Sequence, residues 1–267
     1  MRGSRAHPEG APITVLGNVA IDRVDGGPPR AGGCPTFAAP TVAAAGGSLV
    51  TRCAPDDRLM FEDAFGGCRV AILDAAETAA FEIANAGDRR QLTVRQAGER
   101  WRPSDLDDLE LEQWVHAAPL LEGDVDADVL RAIADRGCRI SFDGQGLIRR
   151  RATGPLRLGP PGDRGLLRLV DVLKLSQEEA QVLGCEAAEL GVEEVIVTRG
   201  SQGATVYAGG RVEDIRPSRI VEGAEPTGAG DAFVAGYVTA RAAGVDPAEA
   251  AAFAAELVVE LLAERAT

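Results

Sequence analysis

The feature that most constrains the fold is an alternation of short, continuously apolar runs with longer segments of helical periodicity. The apolar runs at 13–17, 49–53, 70–73, 114–117, 139–142, 172–175 and 195–198 read as strands buried on both faces. Helical patterns lie between them at 36–45, 126–135 and 177–183, with a further one at 57–65. The chain ends in two more, 229–243 and 247–265, split at Gly244-Val245-Asp246. Strands alternating with helices need crossover connections, which lay helices on both faces of a mainly parallel sheet. The expected fold is therefore α/β, a doubly wound, mainly parallel sheet in a single domain spanning 1–267. Two segments break the rhythm. Residues 19–31 pass through a Gly/Pro turn at 26–29, and residues 80–97 alternate apolar and polar around 85–88. Both are expected to project antiparallel strands from the main sheet, as a small β-strand lid.

Charge narrows the partners. Against 28 basic residues stand 41 acidic ones, a net of −13, and no basic cluster interrupts them. Such a surface repels phosphate backbones and anionic lipid, so nucleic acid and membrane are not the expected partners. Lys174 is the only lysine, and His7 and His116 are the only histidines, which leaves no material for mechanisms built on paired histidines or several lysines. The cysteines Cys34, Cys53, Cys68, Cys138 and Cys185 form no C-x-x-C pair or zinc-ligand cluster and read as reduced, buried thiols. Residues 1–12 are polar and no 18-residue apolar run occurs, so the expected location is cytoplasmic.

One segment carries recognisable chemistry: Glu225-Pro226-Thr227-Gly228-Ala229-Gly230-Asp231-Ala232-Phe233, running into a long apolar helix. Glycines just before a helix let several backbone N–H groups point the same way. With the positive end of the helix dipole they make an anion site. An aspartate at that helix start could take a proton from a hydroxyl held beside the anion, the geometry of a base in phosphoryl transfer. The plain alternative is an ordinary helix start capped by Thr or Asp. Other phosphate motifs are absent: the lone lysine follows Leu173 rather than glycine, and Gly17 is not followed by the glycines of a dinucleotide fingerprint.

The stretch Pro226-Thr227-Gly228-Ala229-Gly230-Asp231-Ala232-Phe233 resembles the C-terminal signature of the ribokinase-like (PfkB) carbohydrate kinases, and the resemblance extends over almost the whole chain. Gly17-Asn18 with Asp22 is similar to that family's opening strand and acidic substrate contact. Gly32-Gly33-Cys34-Pro35-Thr36-Phe37, ending at Gly46-Gly47, matches the N-terminal glycine signature in spacing, with Phe37 where many members carry asparagine. Lys174-Leu175-Ser176-Gln177-Glu178-Glu179 resembles the Asn-x-x-Glu region, with Ser176 in place of asparagine. Thr198-Arg199-Gly200-Ser201-Gln202-Gly203 resembles the T-x-G-x-x-G turn. Within the family, Asp143-Gly144-Gln145-Gly146-Leu147-Ile148-Arg149 is similar to the D-x-Q-x-x-I-R stretch of myo-inositol kinases.

The resemblance implies a ribokinase-like fold and transfer of the γ-phosphate of ATP, with Mg²⁺, to a hydroxyl of a cyclitol or sugar, most closely myo-inositol. A nucleoside or ribose-type kinase, and a ribokinase-fold ligand sensor without turnover, are the alternatives. It implies Asp231 as base, with Gly228, Ala229 and Gly230 neutralising the phosphoryl group. Asn18, Asp22, Gly32, Gly33 and Gln145 would contact the acceptor together with Asp231. Lys174, Thr198, Gly200, Gly203, Thr227, Gly228 and Gly230 would contact the nucleotide, Arg149 a phosphate, and Glu179 the metal through water. In relatives such lids pair between subunits, so a homodimer through the lid is a further expectation. Glu225 stands where aspartate is usual, keeping the charge on a longer arm.

Overall fold

The computed structural model describes residues 10–86, 89–162 and 164–266. The chain begins with β1 (Thr14–Leu16), β2 (Ala20–Val24), β3 (Pro29–Gly32), α1 (Cys34–Ala44), β4 (Ser48–Cys53), α2 (Arg58–Glu62) and β5 (Arg69–Asp74). It continues through β6 (Ala79–Ala86), β7 (Arg89–Gln96), β8 (Trp114–Ala117), α3 (Ala127–Ala134), β9 (Arg139–Asp143), α4 (Gln145–Ile148) and β10 (Gly154–Pro155). It closes with β11 (Val172–Ser176), α5 (Gln177–Leu183), β12 (Glu194–Thr198), β13 (Ala204–Ala208), β14 (Arg211–Ile215), α6 (Ala229–Ala242) and α7 (Pro247–Arg265).

The large sheet has the order β14-β13-β12-β11-β9-β8-β1-β4-β5. Every pairing from β12 across to β5 is parallel. Alternating residues on these strands face opposite cores, as a sheet covered on both sides requires. Val15 and Leu49 pack into one core with α1, α2, α6 and α7, while Leu16 and Val50 pack into the other with α3, α4 and α5. This is the doubly wound arrangement expected from the apolar runs. The expected segment at 57–65 divides into a 3₁₀ turn, the short helix α2 and a second 3₁₀ turn.

The sequence reading misses the antiparallel hairpin β13–β14, which extends the sheet beyond β12. Its signal was present: two β-branched runs joined by Gly209-Gly210, both with positive φ (56° and 74°).

The second sheet, of order β10-β7-β6-β2-β3, gathers the two segments that broke the rhythm. β2 pairs antiparallel with β3 and parallel with β6, and β6 forms a hairpin with β7. The small strand β10 adds to β7. Gly87 and Asp88, part of the expected lid, and His7 with the rest of the first nine residues lie outside the described residues. Among the described residues no helix is long and apolar enough to cross a membrane.

Candidate active site

Five of the expected site residues lie at or just beyond the C-terminal ends of the parallel strands, where open α/β sheets bind their ligands. Asn18 follows β1, Gln145 follows β9, Lys174 lies near the end of β11, Glu179 lies one turn beyond it, and Thr198 ends β12. Helix α6 packs on the sheet with its N-terminus toward these ends, Gly230 lying beside Lys174. It is held to the sheet by a buried carboxylate, Glu194 on β12, which accepts from the Tyr237 hydroxyl (2.5 Å) and from Arg241 Nη2 (2.5 Å).

The start of α6 decides between the anion site and the ordinary cap. Its N-cap is Gly228, with φ 78° and no side-chain hydrogen bond, so no Thr or Asp satisfies the first amides. The left-handed φ suits glycine, and a Cβ at 228 would run into the Phe37 ring. Phe37 thus forms a wall behind the loop. Among the three expected donor amides, Ala229 is already engaged: its N–H donates to the Pro226 carbonyl at 3.0 Å. Gly228 and Gly230 have no backbone acceptor among the described residues, so the free amides are theirs.

Asp231 lies in the first turn of α6, half-buried, with Cys34 of α1 donating its thiol hydrogen to the carboxylate. Burial pushes the Asp231 carboxyl up from 3.8 to about 6. Lys174 and Arg149 restrain that rise and the Asp143 carboxylate adds to it. The Cys34 thiol is raised well above its ordinary range, first by burial and then by the Asp231 charge, and so stays protonated.

Beneath Asp231 lies a buried ion pair: Lys174 Nζ donates to Asp143 Oδ2 at 3.1 Å. Burial alone would lower the lysine's affinity for its proton, but Asp143, Glu179 and Asp231 hold it above the ordinary value. Burial opposes the Asp143 charge, and Lys174 overcomes it, holding that carboxyl below 3.8. Lys174 Nζ sits 3.5 Å from the point where a Cβ on Gly230 would lie. The lysine therefore flanks the helix start. Asp143 carried no role in the sequence reading, because its partner is 31 residues away.

His116 is fully buried and neutral, its pKa lowered to about 4 chiefly by burial. Its Nδ1 bonds Ser141 Oγ at 3.0 Å, and its Nε2 has no partner among the described residues.

Glu179 is buried and closes a capping box at α5. It accepts from the Ser176 N–H at 2.8 Å, and its own N–H donates to Ser176 Oγ at 3.1 Å. Its other oxygen faces Arg149 Nη2 at 3.7 Å. Arg149 is half-buried, and the two arginines that follow it are also committed. Arg150 pairs with Glu122 at 2.7 Å, and Arg151 pairs with the buried Asp124. Among the described residues no group of three or more His, Cys, Asp or Glu could enclose a metal. One buried carboxylate suits Mg²⁺, which keeps several waters and takes most other ligands from phosphate. The donor set therefore fits a metal held at Glu179 through water.

Four of the expected acceptor residues, Asn18, Asp22, Gly32 and Gly33, come together where the small sheet meets α1. Gly33 opens α1 with φ 86°, and a Cβ on it would lie 2.7 Å from the Asn18 carbonyl oxygen. Asn18 is buried, donates from Nδ2 to the Glu99 carbonyl at 2.8 Å, and leaves its Oδ1 without a partner among the described residues. A Cβ on Gly32 would collide with the Asp22 carboxylate. Buried Gln145 starts α4; its neighbour Gly146 packs on Pro119, and Gly17 packs on Ala118.

Thr198, Gly200, Gly203, Ala229 and Gly230 line one cavity of about 310 Å³, whose remaining walls include Phe233, Ala255, Val258, Val259 and Leu262. A second cavity of about 400 Å³ lies across the Thr198–Gly200 turn, lined by Ser176, Gln177, Glu178, Gln181 and Arg199. Thr227 lies apart from both, on a smaller cavity shared with Asp22, Arg30, Phe37 and Arg265.

Fold and site together describe an α/β protein with a glycine-opened helix start that leaves two amides free, a half-buried aspartate in its first turn and a second small sheet beside them. Residues 74–261 match the family described as pfkB family carbohydrate kinase. A maize (Zea mays) inositol 3-kinase is 34% identical over 66% of this chain, which spans 46% of that protein's length. A fructokinase of Klebsiella pneumoniae is 30% identical over 92% of this chain and 90% of its own. The fold also superposes, at a TM-score of 0.82 and 21% identity over 94% of this chain and 95% of the other, on a pyrophosphate-dependent kinase of the ribokinase family complexed with a pyrophosphate analogue and myo-inositol. The chain belongs to the pfkB family of carbohydrate kinases, phosphotransferases that act on an alcohol group.

Proposed function

We propose that this chain transfers the γ-phosphoryl group of ATP to a hydroxyl of a cyclitol or sugar, with myo-inositol the first candidate. The observation that carries this reading is Asp231, half-buried with its pKa raised to about 6, beside the free amides of Gly228 and Gly230. A base poised near the working pH suits proton abstraction from an alcohol. Likeness to inositol 3-kinase and the Asp143–Arg149 stretch support the cyclitol.

In this reading Asp231 takes the hydroxyl proton as the oxygen attacks phosphorus. Gly228 and Gly230 N–H groups and the Lys174 ammonium face the charge that develops on the phosphoryl oxygens, a preorganised field that needs no rearrangement during transfer. Arg149, held loosely by Glu179, reaches a donor phosphate. When bound, Mg²⁺ neutralises phosphate charge. Asn18 Oδ1, the Asp22 carboxylate and Gln145 hold vicinal hydroxyls, with Gly32 and Gly33 admitting the ring close to the backbone. The small sheet, built from segments 19–31 and 80–97, closes over the acceptor and excludes water, which keeps ATP from idle hydrolysis. We read 1–267 as one catalytic domain working in the cytoplasm. We expect two chains to pair through the lid, at a dimer mass readable by light scattering.

The donor separates two readings. The structural relative named above uses pyrophosphate, which has no base to bury. Here the 310 Å³ cavity beside Gly230 is walled by Phe233, Val258, Val259 and Leu262, a lining suited to a purine and of no use to pyrophosphate. Assayed with myo-inositol, fructose, ribose and a nucleoside, the protein is expected to turn over with ATP at least about 100-fold faster than with pyrophosphate, on the order of 3 kcal/mol of discrimination. Equal or faster transfer from pyrophosphate would reverse the donor assignment. A faster rate with a nucleoside would reverse the acceptor.

A further inference from the structure

The loop bearing Gly228 is held from behind by a residue at the far end of the chain. Arg265, in the last turn of α7, donates from Nη1 to the Thr227 carbonyl at 2.7 Å and lies 3.5 Å from the Glu225 carbonyl. In a trans peptide the C=O and the following N–H point in opposite directions. A guanidinium on the Thr227 carbonyl therefore holds the Gly228 N–H facing away from itself. Gly228, at φ 78°, offers little resistance to rotation of the preceding peptide unit. Were that unit to flip, a carbonyl oxygen would replace an amide hydrogen on the face that meets the anion, turning attraction into repulsion. Among the described residues no other side chain hydrogen-bonds to this peptide unit. Thr227 Oγ1 is spent on Glu225 Oε1 at 2.7 Å, and Glu225 Oε2 faces Arg30 of β3 at 3.3 Å.

We propose that Arg265 is a positioning residue for phosphoryl transfer: it locks the Thr227–Gly228 peptide so that the Gly228 N–H meets the terminal phosphate of the donor. The inference rests on the kinase reading above. Arg265 itself is exposed, at the end of the last helix, so its removal subtracts little packing.

The test compares the wild-type chain with Arg265→Ala and Arg265→Lys in steady-state kinetics, calorimetric binding of a non-hydrolysable ATP analogue, and thermal melting. Removing one oxyanion donor outright costs about 10²–10³ in kcat. Loss of the lock alone is expected to cost Arg265→Ala roughly 10- to 100-fold in kcat and about tenfold in analogue affinity, the acceptor KM and the Tm staying near wild type. Arg265→Lys, which keeps one charged donor, recovers most of the loss, and added guanidinium ion restores part of the Arg265→Ala rate. Wild-type kcat and analogue affinity in Arg265→Ala overturn the proposal. So does a loss that follows Tm and raises both KM values together, since that marks a simple brace. If the wild type transfers no phosphoryl group, the kinase reading falls, and the analogue still decides the lock: weaker binding by Arg265→Ala supports it, and equal binding overturns it.

Discussion

Asp231→Asn is expected to lower kcat by about 10²–10⁴, the usual contribution of a positioned base, while donor and acceptor affinities stay close to wild type. The same substitution should raise stability at neutral and alkaline pH. The sign follows from the raised carboxyl, 3.8 in the unfolded chain and about 6 in the folded one. Below pH 3.8 both forms hold the proton and the group has no effect. Between these values the folded protein binds a proton that the unfolded chain releases, so stability falls as pH rises, and above about 6 the full penalty is present. Asparagine removes it. Melting curves should therefore show the variant a few degrees above wild type at pH 8, with the gap closing toward pH 4. In the wild type, kcat/KM should rise with pH along a limb centred near 6. A variant that loses turnover and melts lower at pH 8 would mean that Asp231 holds the fold together rather than storing strain for catalysis.

Breaking the buried pair beneath it should have the opposite effect on stability. Lys174 and Asp143 are both nearly inaccessible, and each compensates the other's charge. Replacing one partner leaves a buried charge unmatched, which costs about 3–5 kcal/mol. At roughly 2–4 °C per kcal/mol for chains near this size, Asp143→Asn or Lys174→Met should lower Tm by roughly 10 °C. The double variant Asp143→Asn/Lys174→Met should recover much of that loss, because the charges disappear together. Its turnover should stay low, since Lys174 also faces the helix start at Gly230. If the double variant's loss equals the sum of the single losses, the two groups act independently and the pairing carries no coupling energy.

The parts of the molecule legible in the sequence are those with a local cause. Buried parallel strands are apolar throughout, so β8 at Trp114–Ala117 and β11 at Val172–Ser176 fall within a residue of the apolar runs. Helix α7 starts at Pro247 behind an Asp246 cap and ends at Arg265, as its pattern indicates. At the site, Gly228 and Asp231 stand out because a glycine turn and an acidic first turn are adjacent in the chain. What stayed hidden depends on distance in sequence. The parallel pairing of β2 with β6, the two-residue β10, the Lys174–Asp143 pair and the bond of Arg265 to Thr227, 38 residues apart, leave no local pattern. The Ala229 amide is a different case: its segment is legible, but only the geometry shows its N–H turned to Pro226.

The central claim is that Asp231 drives phosphoryl transfer from ATP to a polyol hydroxyl. Phosphorus NMR of the wild type and Asp231→Asn, each with ATP, Mg²⁺ and myo-inositol or a panel of sugars, tests it most directly. The account predicts a new phosphomonoester resonance growing with ADP in the wild type and none above background in the variant. Ligand-induced thermal stabilisation of the wild type with no phosphomonoester from any polyol, sugar or nucleoside would contradict it, leaving a binding protein on a kinase fold.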